Sequence, residues 1–151
     1  MAVPENTHVD DNRKWSRASL RILGETLQPD QIGAALGLVA TRSHIKGEPR
    51  SKKHKAVWRE SAWLLQSALG DESDLADHLK WLLDKLEPKL DVITELSKKY
   101  KVDLFCAFSS GNGQGGFGLD SATLKRIAGL GIGLCLDLYP PPIENNDMAP
   151  E

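Results

Sequence analysis

Leu75, Leu79, Leu82, Leu83 and Leu86 recur at helical spacing, and nothing else in the 151-residue chain restricts its fold as much. A helix with leucine along one stripe and charge elsewhere has one face that must be covered, so it needs a second layer. Such a stripe belongs to a core rather than to a partner-binding face. Pro88 breaks the pattern, and Leu90, Ile93 and Leu96 continue it to Tyr100, which predicts two helical segments in succession.

The second layer is written in alternation. Ala18, Leu20 and Ile22 alternate with Arg17, Ser19 and Arg21, and Gly24 closes the run: a strand with one buried face. Gln28-Pro29-Asp30 opens a short helix with Ile32, Ala35 and Leu36 on its apolar side and Gly37 as C-cap. From Ala56 to Leu65 alternation returns, with Trp58, Glu60, Ala62 and Leu64 on one side and Val57, Arg59, Ser61 and Trp63 on the other. Residues 102–110, VDLFCAFSS, read as an apolar strand, GNGQGG as a turn and FGLD as its hairpin partner. Asp120 and Ser121 cap a helix carrying Leu124, Ile127 and Ala128. A last strand points Ile132, Leu134, Leu136 and Leu138 inward. The expected fold class is α+β: a two-layer sandwich, mostly antiparallel, with helices on one face and ferredoxin-like character. Residues 1–14 and 141–151 are polar and patternless and read as disordered tails around a single domain, 15–140. The segments LQPDQIGAALGL and LDSATLKRIAGLGIGL both close a short helix on Leu-Gly, an echo that fits either two related halves or the shared grammar of capped helices.

Charge is unevenly placed. Between Thr41 and Arg59 seven basic residues face one acid, a local charge of +6, while the rest of the chain carries −8. A positive patch on an acidic body can steer an anionic partner, although a merely solvated loop has the same composition. Gly47 and Pro49 argue against regular structure in its middle. Cys106 and Cys135 lie in apolar runs without metal-type spacing and read as small buried hydrophobes in a reducing compartment. With no apolar leader and no run approaching the ~18 residues of a membrane span, a cytoplasmic location and no membrane partner are expected.

The segments SLRILGETLQPDQIGAALGL, TRSHIKGEPR, HLKWLLDKLEPKLDVITEL, VDLFCAFSS, GGFGLD and LGIGLCLDLY span roughly residues 16 to 140. Together they resemble the bacterial family known as domain of unknown function 4279. The most specific are Thr41-Arg42-Ser43-His44 with Lys46-Gly47, and Val102-Asp103-Leu104-Phe105-Cys106. The resemblance implies a small stand-alone bacterial or phage protein and carries no activity with it.

Two groups of residues are candidates for binding. Arg42, His44, Lys46 and the Gly47 amide, with Trp58 at the end of the basic stretch, can hold a carboxylate or phosphate: arginine supplies a planar fork and glycine lets backbone approach. The open face of the sheet would present Arg21, Asp103, Phe105, Asp137 and Tyr139, with Trp63 as a further contributor. Such a mixture of aromatics and both charges can build a partner surface or can pair within the sheet, and Asp103 and Asp137 are expected to be neighbours. GNGQGG lacks the lysine and the strand-to-helix setting of a phosphate loop. His8, His44, His54 and His78 show no metal-ligand spacing, His78 reads as a surface or boundary residue, and no serine is marked as activated. The expectation is a non-enzymatic binding protein without cofactor or metal, of the immunity or inhibitor type. Its partner would be a protein, with an anionic small molecule such as a phosphate or nucleotide as the alternative. Few aromatics and an acidic body argue against nucleic acid, and open sheet edges make a homodimer a further option.

Overall fold

The alternating run at the start of the chain becomes the middle of the sheet. In this computed structural model, which describes residues 13–53 and 55–140, the elements are β1 (Trp15–Gly24), α1 (Pro29–Leu36), β2 (Arg42–His44), β3 (Ser61–Gln66), α2 (Leu75–Leu86), a 3-10 turn (Glu87–Lys89), α3 (Leu90–Lys99), β4 (Lys101–Ser109), α4 (Ser121–Gly129) and β5 (Gly133–Leu138). Apart from Arg13 and Lys14, the two expected tails lie outside the described residues, as does His54. The strands form one open mixed sheet in the order β2-β3-β1-β4-β5. β1 pairs antiparallel with β3 and β4, β2 pairs antiparallel with β3, and β5 runs parallel to β4. No helix among the described residues is long and apolar enough to cross a membrane.

Period two divides the sheet as expected. Ala18, Leu20 and Ile22 of β1, with Val102, Leu104 and Cys106 of β4, face the helices and join one core with the α2 leucines, all of which are buried. α2 packs on β1, α1 on β3 and α3 on β4. Pro88 converts one turn to 3-10 geometry between α2 and α3, the break that its missing N–H dictates. Gly37 ends α1 in the left-handed conformation at φ 66°. The Asp120 carboxylate caps α4 by accepting from the Thr123 amide at 2.8 Å.

The structure departs from the sequence reading at several points. The segment from 110 to 120 forms no strand and hence no hairpin. Gly111, Gly113 and Gly115 take left-handed φ values of 87°, 83° and 112°, and Phe117 folds back edge-on to Phe108 at 5.2 Å. The chain then crosses through α4 to a parallel β5, since parallel neighbours need a crossover and not a tight turn. Leu134, Leu136 and Leu138 do point to the helix side, but as an edge strand with no helix packed over it they stay 41%, 48% and 66% exposed. The alternating run at 56–65 becomes regular strand only from Ser61, and its Trp63 pairs with Ile22 on the helix side, fully buried. Ala35 and Leu124 are exposed, and Cys135 is only half-buried. His78 is not at the surface: it is 1% exposed, with Nδ1 2.9 Å from the Ser67 hydroxyl and Nε2 without a partner among the described residues. The two Leu-Gly segments share a left-handed glycine, Gly37 and Gly131, and no topology. β1 and β2 are separated by β3, whereas β4 and β5 are adjacent.

Candidate binding cleft

The basic stretch builds an arm, not a loose loop. Thr41 starts it: its amide donates to the Leu64 carbonyl at 2.7 Å, and its hydroxyl accepts from the Gln66 amide at 2.9 Å. β2 then pairs with β3, Arg42 opposite Leu64 and His44 opposite Ala62. Alternation sends Arg42 and His44 to the sheet face away from the helices and Ser43 to the face that carries Trp63. Ile45 to Glu48 form a β-turn closed at 3.0 Å, with Gly47 at φ 90° in its third position, where a type II turn requires a positive φ. The chain next folds back on itself. Gly47 donates to the Trp58 carbonyl at 2.8 Å, Trp58 to that of Glu48 at 2.9 Å and Arg50 to that of Ala56 at 3.0 Å, with Pro49 bridged to Val57.

The arm and the sheet face enclose a cleft of ≈ 740 Å³, within the range of ligand sites. Arg21, Arg42, Arg50 and Arg59 line it together with His44 and Trp58. At its centre stands a stack: the His44 and Trp58 rings are 3.6 Å apart and 8° from parallel, and the Arg50 guanidinium lies 4.7 Å from the Trp58 ring centre. Burial lowers the pKa of His44 from its ordinary 6.5, with Arg50 adding to the effect against Glu48 and Glu60. The imidazole is therefore neutral at pH 7, and its buried Nδ1 has no partner among the described residues. The cleft's positive charge comes from the arginines. Among the described residues Arg42 and Arg59 make no ion pair.

Arg21 is held from below. It lies opposite Asp103 in the β1–β4 register, and Nε and Nη2 donate to the two carboxylate oxygens at 2.9 and 2.7 Å. Its guanidinium also covers the Phe105 ring at 4.5 Å. Two of its five donors are spent on Asp103, and Cys135 also interacts with the guanidinium. The hydrogen bonds to Asp103 raise the pKa of Arg21 further, against the cost of burial.

The sequence-predicted residues thus separate. Arg21, Arg42, His44 and Trp58 come together in the cleft. Lys46 does not join them: its ammonium lies 3.7 Å from Glu25, and its amide donates to Ser61 Oγ. The Gly47 amide is used inside the arm and offers nothing to an anion. Asp103 is 5% exposed beneath Arg21, a structural partner. Asp137 and Tyr139 occupy the far half of the same face. There Trp15 and Tyr139 are in ring contact at 5.1 Å, Arg17 grips Asp71 with two bonds of 2.9 and 2.7 Å, and Asp137 pushes the Tyr139 phenol up. Asp103 and Asp137 are not neighbours, because Asp103 pairs with Gly133 and Asp137 with Ala107. Arg50 and Arg59 are cleft residues that sequence reasoning counted only as charge. Their role depends on the backward fold of the arm, which no local spacing announces. No three His, Cys, Asp or Glu side chains among the described residues are grouped as a metal site.

The sequence model described as "Domain of unknown function (DUF4279)" matches residues 13–141, from before β1 to beyond β5. The chain belongs to this family. The match takes in the arm, the cleft and all five strands, so the cleft lies inside the DUF4279 domain. Neither the curated proteins nor the solved structures contain a match to the chain.

Proposed function

We propose that this DUF4279 protein is a non-enzymatic binding protein of the immunity or inhibitor type. In this reading it acts in the cytoplasm and captures an acidic surface of a protein partner in the basic cleft. One observation carries the reading: three exposed arginines and the anchored Arg21 converge on one concave site beside a stacked tryptophan. Arginine forks match carboxylates two bonds at a time, and arginine and tryptophan dominate the residues that matter most in protein interfaces. The +6 charge of the basic stretch, set against an acidic remainder, would speed the encounter.

The stack also weighs on the small-molecule alternative. One face of the Trp58 ring is covered by His44, and Arg50 also lies against the ring, so Trp58 lacks the free platform that a nucleobase would use. Inorganic phosphate or a nucleotide bound through its phosphates alone is the second reading, favoured by the arginines and not by the ring.

The test is co-purification from the host, read by native and denaturing mass spectrometry. Wild type and Lys46→Glu, whose lysine is outside the cleft, are compared with Arg42→Glu/Arg59→Glu. An acidic protein retained by the first two and lost from the third is the expected result, with the loss mainly in association rate and largest at low salt. A partner that stays on the double variant refutes the cleft. A protein that purifies alone, and whose melting temperature rises with millimolar phosphate or nucleotide, hands the site to the second reading.

A further inference from the structure

The two edges of the sheet are finished differently. β2 is three residues long, carries Arg42 and runs straight into the basic arm. Short, charged edges of this kind resist pairing with another chain. β5 has six residues and a single charge, Asp137, and its outer row of backbone groups has no strand beside it among the described residues. Leu134, Leu136 and Leu138 extend the rows of Leu104, Cys106 and Phe108, yet stay 41–66% exposed, because α4 packs on α2 instead. A flat apolar edge of this length is what isolated domains avoid.

We propose that β5 pairs antiparallel with β5 of a second copy of this chain across a two-fold axis. The strand is self-complementary about Leu136. In a register centred there Leu136 meets its own counterpart and Leu134 meets Leu138, which closes one leucine row on the helix side. On the other face Cys135 stands opposite Asp137, so no like charges meet. A register centred on Asp137 would oppose two carboxylates. The chain's own ends are poor occupants of this edge. Residues 143–148 read IENNDM and residues 1–12 read MAVPENTHVDDN, rich in the Asn, Asp and Pro that strands exclude. A pairing of this length belongs to the small end of specific interfaces, roughly 1,200 Å² in total, so a dissociation constant in the micromolar range is expected.

Light scattering on the full chain after size exclusion, from about 1 to 300 μM to bracket that range, tests the proposal. Wild type should pass from monomer to dimer. Leu136→Asp should weaken the dimer by about a hundredfold or more, since it sets two carboxylates face to face. Its melting temperature should hold, because the position is half exposed. In a Cys135→Ser background, Leu136→Cys should cross-link on mild oxidation, whereas Leu138→Cys, about 13 Å from its counterpart, should not. A wild type monomeric throughout, or a dimer indifferent to Leu136→Asp, overturns the proposal. Equal cross-linking at both positions overturns the register.

Discussion

Removing the Arg21 guanidinium while keeping its bulk, as Arg21→Met, isolates the pair beneath the cleft. Asp103 is 5% exposed, and its charge partner is Arg21, through both carboxylate oxygens. The variant leaves a buried carboxylate without compensation, a loss of about 3–5 kcal/mol. The Arg21 side chain is 21% exposed, so water reaches the rim of the pair and the lower end, about 3 kcal/mol, applies. That corresponds to a melting temperature lower by about 6–12 °C for a domain of this size. Asp103→Leu alone strands an arginine that can turn to solvent, and costs about 1–2 kcal/mol. The double variant Arg21→Met/Asp103→Leu replaces the pair by apolar groups and should lie within about 1 kcal/mol of wild type. The coupling read from this cycle by urea titration, with an unchanged m value, is then about 4 kcal/mol. A single Arg21→Met that loses less than about 1 kcal/mol, or a double variant equal to the sum of the singles, would refute the reasoning.

Three further outcomes follow from the same packing. Burial lowers the pKa of His78 below its ordinary 6.5, so the unfolded chain binds more protons in acid: stability is complete above about pH 6.5 and falls as pH drops below it, and His78→Gln should flatten that slope in melting curves from pH 8 to 5. A Cβ at Gly24 would come within 2.6 Å of the Tyr100 ring, so Gly24→Ala should cost about 1–3 kcal/mol by chemical denaturation, and Gly24→Ala/Tyr100→Leu should recover most of it. Asp120→Ala removes the only side-chain cap acceptor of α4 among the described residues and should cost about 1 kcal/mol, while Asp120→Asn should keep most of the stability.

The core was readable because it is periodic. The α2 leucines and the β1 alternation each state a face, and all of those residues are buried. The Gly37 and Asp120 caps and the Pro88 break were readable for the same local reason. What failed was decided by partners far along the chain. FGLD has strand-like composition, but Phe117 reaches Phe108 and the parallel neighbour of β4 arrives through α4. The β5 leucines alternate as a buried face would, and alternation cannot say that no helix covers the edge. His78 sits one position from Leu79 on a charged helix, and its burial depends on Ser67 at the end of the neighbouring strand. In the cleft, the sequence named Arg21, Arg42, His44 and Trp58 through charge and alternation. It could not separate them from Lys46 and Gly47, because the turn that spends the Gly47 amide exists only when Trp58 folds back.

The ring contact of Trp15 with Tyr139 fixes where the domain is held by anything attached to it. The chain enters and leaves at one corner, beside the start of β1. The arm stands by the opposite end of β1, where Leu23 pairs with Ala62. Along β1, the six residue steps from Trp15 to Arg21 put roughly 20 Å between that corner and the near edge of the cleft. A probe attached at Lys14 or Pro140, beside that corner, therefore sits away from the cleft arginines. Force drawn between the two ends peels β1 and β5 from their neighbours pair by pair instead of shearing the whole sheet at once.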